Sequence, residues 1–94
     1  MLTVELLNAQ MERANETLGY NDFANARKEG DFFLFDFDDM VTSAVRLKDG
    51  KFQEWIDFHE GSIYSEDPYR IHESLEALFD QLIFELKDSG FYDR

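Results

Sequence analysis

The sequence contains no cysteine, so neither a disulfide framework nor a thiolate metal site is available. A chain without such staples suits a reducing compartment, and a cytoplasmic location, the host-cell cytosol if the protein is phage-encoded, is the expectation. No apolar run approaches the roughly 20 residues that cross a bilayer. The opening stretch "MLTVELLNAQMER" has no basic segment leading into an apolar core, so no signal peptide and no membrane segment are expected. Basic residues are scarce: nine Lys and Arg stand against 21 Asp and Glu, a net charge of −12. Residues 1–51 carry −4 of this and residues 52–94 carry −8. Such a surface repels nucleic acid and anionic membranes and draws basic proteins toward it.

What the chain does have is apolar mass. Apolar residues make up 44% of it, and ten are Phe, too many for an acidic disordered chain. One folded domain spanning 1–94 is expected. Val4, Leu7, Met11, Ala14 and Leu18 recur at helical spacing and predict a helix over 3–18, with Thr3 as cap and Gly19 as its left-handed end. "NDFANARKEG" predicts a short helix over 22–28, capped by Asn21 and stopped at Gly30. Residues 31–37, 41–48 and 51–58 predict three strands. Asp49-Gly50 between the last two is the strongest short hairpin signal, because a type I′ turn needs positive φ at both positions.

That turn sets Leu47 opposite Phe52, Val45 opposite Glu54 and Ser43 opposite Ile56. Phe33, Phe35, Phe37, Val41, Val45, Leu47, Phe52, Ile56 and Phe58 then share one face, with Glu54 out of character among them. Phe32, Leu34, Asp36, Ala44, Arg46, Trp55 and Asp57 share the other, over which the first helix is expected to pack. After a loop at 59–67, a long helix is predicted from about 67 to 88. It opens on Asp67-Pro68, buries Ile71, Leu75, Leu78, Phe79, Leu82 and Leu86, and stops at Gly90 with Phe91 touching Leu86. The class is α+β: a three-stranded antiparallel meander with an N-terminal helix and a long C-terminal one.

"FFLFDFDDMV", residues 32–41, resembles the first motif of haloacid dehalogenase-type phosphatases, an apolar strand ending in Asp-x-Asp. The resemblance implies Asp36 as nucleophile and Asp38 as acid/base, with Mg²⁺ between them. The family's following Gly-Thr is here Asp39-Met40, and its parallel sheet needs crossovers that a hairpin cannot supply. The stretch is read instead as a core strand running into an acidic turn. His59 and His72 lack a third ligand at metal spacing. No enzyme activity, catalytic residue, cofactor or metal is expected.

The candidate partner-binding residues are the acids Asp36, Asp38, Asp39, Glu54, Asp57, Glu60, Glu66 and Asp67, together with Trp55, Tyr64 and Tyr69. Turn, strand and helix start could gather the acids at one end of the sheet. One helix is too sparse to imitate a duplex: residues 66–88 offer one acid per roughly 5 Å, against one phosphate charge per roughly 1.7 Å. A local patch can still imitate a few phosphates or engage Arg residues bidentately. In plan, with "KDGK" at the hairpin and acids over 54–67, the chain resembles some small, acidic, cysteine-free phage anti-CRISPR proteins. That resemblance implies a non-enzymatic inhibitor that occupies the DNA-contacting site of a CRISPR effector or other basic nuclease. The alternatives are a toxin-immunity protein and an adaptor that binds through the aromatic Trp55 face.

Overall fold

A computed structural model describes residues 1–56 and 67–88. Helix α1 spans Val4–Leu18, and five strands follow: β1 Phe23–Glu29, β2 Phe32–Phe37, β3 Val41–Lys48, β4 Lys51–Trp55 and β5 Arg70–His72. Helix α2, Leu75–Asp88, comes last. The class is α+β, as expected, but the antiparallel sheet has five strands in chain order, not three.

α1 forms as its sequence dictates. The Thr3 hydroxyl accepts from the Leu6 amide at 3.1 Å, and Gly19 turns left-handed at φ 80. Its amide and that of Tyr20 both bond the Asn15 carbonyl, which satisfies the last turn.

The segment 22–28, expected as a short helix, is strand β1. A helix of two turns is marginal without a buried stripe, whereas extended backbone lets Phe23 reach the core and pair with Phe37. Asn25 at φ 62 absorbs a register shift between Ala24 and Arg27, a bulge that breaks the alternation a strand would otherwise show. Gly30 does not stop a helix. At φ 60 it is the first residue of the two-residue Gly30–Asp31 turn that joins β1 to β2, the place where such turns favour glycine. The Asn15 side chain bonds both the amide and the carbonyl of Phe23, at 3.0 and 2.9 Å, and so tethers this edge strand to α1.

The β3–β4 hairpin has the expected register, with Leu47 opposite Phe52 and Val45 opposite Glu54, around Asp49 and Gly50 at φ 53 and 76. The ladder ends at Ala44–Trp55, so Ile56 lies just past β4.

The C-terminal helix begins later than Asp67-Pro68 suggests. Residues 70–72 are strand β5, and Ser74 caps α2, its hydroxyl accepting from the Ala77 amide at 3.0 Å. The cause is Glu54. Extended backbone puts Arg70 and His72 on the same face as Glu54, opposite it and Phe52. Ile71 consequently points the other way and is 58% exposed, not buried in the helix stripe. The expected stop at Gly90 and the Phe91 contact lie outside the described residues.

Both helices lie on one face of the sheet, where Leu7, Met11, Ala14, Leu78, Phe79 and Ile83 meet Phe33, Phe35 and Val45. Phe79 packs against Phe35 and Phe23, with centroids 5.2 and 5.9 Å apart. The alternation of β2 is as predicted: Phe32 and Leu34 join Ala44 and Trp55 on the reverse face. α1 is not the cover of that face. All four residues are nonetheless buried, Phe32 and Trp55 meet edge to face at 5.3 Å, and the Arg46 guanidinium sits over both rings.

Candidate functional site

Topology gives the sheet two unlike ends. α1 leads into Phe23, the partner of Phe37, and α2 leaves the His72–Phe52 pair to finish beside Phe37 and Val41. Both helices therefore point their C-termini, the negative ends of their dipoles, toward the β2–β3 connection. Lys48 and Lys51 lie at the opposite end with Lys28, which pairs with Phe33.

The β2–β3 connection is Asp38-Asp39-Met40. Asp38 and Asp39 are exposed and both at positive φ, 53 and 55, and the Met40 amide closes the turn on the Phe37 carbonyl at 3.1 Å. The Asp38 amide donates to the Asp22 carbonyl at 2.7 Å, fixing the turn against the entry to β1. Asp67 and Tyr69 precede β5 at this same end, and the Tyr69 amide bonds the Glu54 carbonyl at 2.7 Å. Among the described residues, Tyr20, Met40, Ile56 and Tyr69 are large apolar side chains left exposed in the segments that meet at this end. Between the last turns of α2 and the sheet opens a groove of about 240 Å³, walled by Phe37, Val41, Ile56, Leu82 and Leu86, with Glu85 at its rim.

The other expected site residues are placed differently. Asp36 is largely buried and accepts from Thr42 Oγ1 at 2.8 Å, Asn25 Nδ2 at 3.0 Å and Arg27 Nη1 at 3.3 Å. Burial by itself would push its carboxyl up; the bonds from Asn25 and Thr42 and the nearby Arg27 charge outweigh this and hold it below the usual carboxylate value. Asp36 thus ties the β1 bulge to β2 and β3. It does not pair with Asp38, which has left the strand for the turn.

Glu54 is not on a docking surface. It is fully buried on the helix side, its two oxygens bonded by Arg70 Nε and Nη2 at 2.9 and 3.1 Å, with His72 Nε2 2.8 Å from Oε1. Arg70 Nη1 also reaches Glu85 on α2 at 2.7 Å. Burial works against the Arg70 charge, but the two carboxylates overcome it and push the guanidinium above its ordinary value. Trp55, 4% exposed, is likewise inside, so the reverse face offers no open aromatic platform. Asp57, Glu60, Tyr64 and Glu66 lie outside the described residues. Among the described residues, no three His, Asp or Glu side chains stand close enough to hold a metal, and no helix is long and apolar enough to cross a membrane.

The sequence reading thus found the acidic turn but missed what surrounds it. Met40 and Ile56 were readable only as a turn residue and a core residue, and Asp22 only as the start of a helix. Comparison with protein-family models, curated proteins and solved structures finds no match to this chain.

Proposed function

We propose that the protein is a non-enzymatic inhibitor that docks its Asp38 end onto a basic nucleic-acid-handling protein, a nuclease of the CRISPR-effector or toxin kind, and blocks its nucleic-acid site. One observation carries the reading. Both hairpin connections hold two consecutive residues at positive φ, but the two-residue β3–β4 turn uses Asp49-Gly50, while the three-residue β2–β3 connection places two acids there. A residue with a Cβ gives up roughly 1–2 kcal/mol in that conformation, less for Asp, and adjacent like charges add repulsion. Stability alone favours Asn-Gly at that position, so the paired carboxylates are best explained by what they meet. The helix C-termini and Asp67 at the same end strengthen the negative field there, which speeds encounter with a positive site.

The burial of Trp55 argues against the adaptor alternative, in which the aromatic face does the binding. The test compares Asp38→Asn/Asp39→Gly with the wild type against a panel of basic nucleases, measuring affinity across salt and competition with nucleic acid. The variant should melt at or above the wild-type temperature, bind at least about tenfold more weakly at low salt, and show a flatter salt dependence. Wild-type binding that ignores salt, or that leaves nucleic acid bound, would refute the proposal.

A further inference from the structure

We infer that the groove between α2 and the sheet receives an apolar side chain from a basic segment of the partner, an inference that rests on the acidic-docking reading above. Charge alone gives a weak, screened contact between exposed groups. What the Asp38 end adds is a place for an anchor. The groove is walled by the apolar faces of Val41 and Ile56 on one side and Leu82 on the other, and it is about 240 Å³ in volume, room for one leucine- or phenylalanine-sized group. An acidic turn adjoins it in the chain: exposed Asp38 and Asp39 precede Met40 and Val41, while Glu85 of α2, also in the lining, is paired with Arg70. Met40, next to Val41 in the chain, is exposed.

An apolar slot edged by carboxylates is complementary to an aliphatic or aromatic side chain flanked by Arg or Lys. It is unsuited to an acidic peptide, and a nucleic acid would meet like charge. Such an arrangement matches the usual anatomy of a protein interface, a desolvated anchor inside a polar rim. The rim then sets the rate of encounter and the groove the lifetime of the complex.

The probes are two synthetic peptides, KKLKKLKK and its leucine-free counterpart KKGKKGKK, titrated against the full chain by fluorescence anisotropy over a range of salt. The leucine peptide should bind at least about tenfold more tightly, the return for burying one aliphatic side chain. Val41→Trp, which fills the groove without changing charge, should abolish that preference and leave the weak lysine contribution. Leu82→Phe fills it from the helix wall and gives the same readout if Val41→Trp does not fold. Asp38→Asn/Asp39→Asn should weaken both peptides and flatten their salt dependence while keeping the ratio between them. Equal binding of the two peptides, or a preference that survives both filled grooves, would overturn the inference yet leave acidic docking standing. Binding of neither peptide would overturn it as well. Failure of the docking reading itself shows separately, as basic nucleases that do not bind the wild type.

Discussion

Replacing Arg70 with Met should cost more stability than losing any other ion pair among the described residues. Glu54 is 0% exposed, and Arg70 is 19% exposed at its side chain. The guanidinium supplies two of the bonds to Glu54, and a third to Glu85 on α2. Removing it leaves a carboxylate in the core with His72 as its remaining side-chain hydrogen-bond partner among the described residues. Breaking a buried pair from one side costs roughly 3–5 kcal/mol, because the survivor keeps its desolvation penalty and loses its compensation. A chain of this size has a total stability of about 5–14 kcal/mol, so the loss is roughly a fifth or more of the whole. In thermal terms, about 4–8 °C per kcal/mol puts the fall in midpoint above roughly 12 °C.

The assay is urea denaturation of wild type, Arg70→Met, Glu54→Leu and the double variant. A double variant that recovers most of the loss would show that the damage comes from the stranded carboxylate, since two apolar groups can replace a buried pair at little cost. The Lys51–Glu73 pair, 47% and 82% exposed, is the internal control; Lys51→Met should change stability by under about 1 kcal/mol. An Arg70→Met variant within about 1 kcal/mol of the wild type would refute the reasoning, because it would mean that water reaches Glu54 when the guanidinium goes.

Two further predictions concern the bulged edge. The Asp36 carboxyl is held below its ordinary value, so its contribution is complete above the unfolded value of about 4 and fades as pH falls through the folded one; Asp36→Asn should therefore be destabilising at pH 7, and the gap should close as pH drops below about 4, as read by thermal melts, with a gap independent of pH excluding the assignment. Asn15→Ala strips both side-chain bonds from the Phe23 backbone and should cost about 1–3 kcal/mol, with amide exchange rising first at Phe23 if the edge of β1 opens before the rest of the sheet.

The parts of this fold that were legible in the sequence are those fixed by neighbours in the chain. Thr3 and Gly19 bound α1 through their own backbone geometry, and Asp49-Gly50 sets the hairpin register by turn chemistry alone. Alternation along β2 sorts Phe33 and Phe35 from Phe32 and Leu34 without reference to any partner. The two strands that were missed are decided at a distance. Gly30-Asp31 reads equally as a helix stop and as a hairpin turn, and the bulge at Asn25 removes the alternation that would have settled it. β5 exists because Glu54 needs partners: an acid at a position whose register faces the core is the signal, and the Arg70 cation, with the His72 ring beside it, is its answer. At the candidate site the exposure of Asp38 and Asp39 was legible because acids at a strand end belong to a turn. The groove was not, since Leu82 and Val41 lie far apart in the chain and each reads separately as core.

The same contacts explain why an acidic end can serve as a binding surface in so small a protein. Net charge of −12 on 94 residues favours expansion through self-repulsion, and a loose acidic loop would also lose entropy on docking. Here the carboxylates sit in a three-residue connection in which two amides are committed, Met40 to Phe37 and Asp38 to Asp22, so little remains to be ordered when a partner arrives. The turn is held in place by β2 and β3, and β3 is joined through β4 to the edge that Glu54 and Arg70 lock to α2. The ion pair buried in the core and the charges displayed at the end thus belong to one design problem: the first fixes the position of α2 against the sheet, and that position shapes the groove beside which the second are displayed.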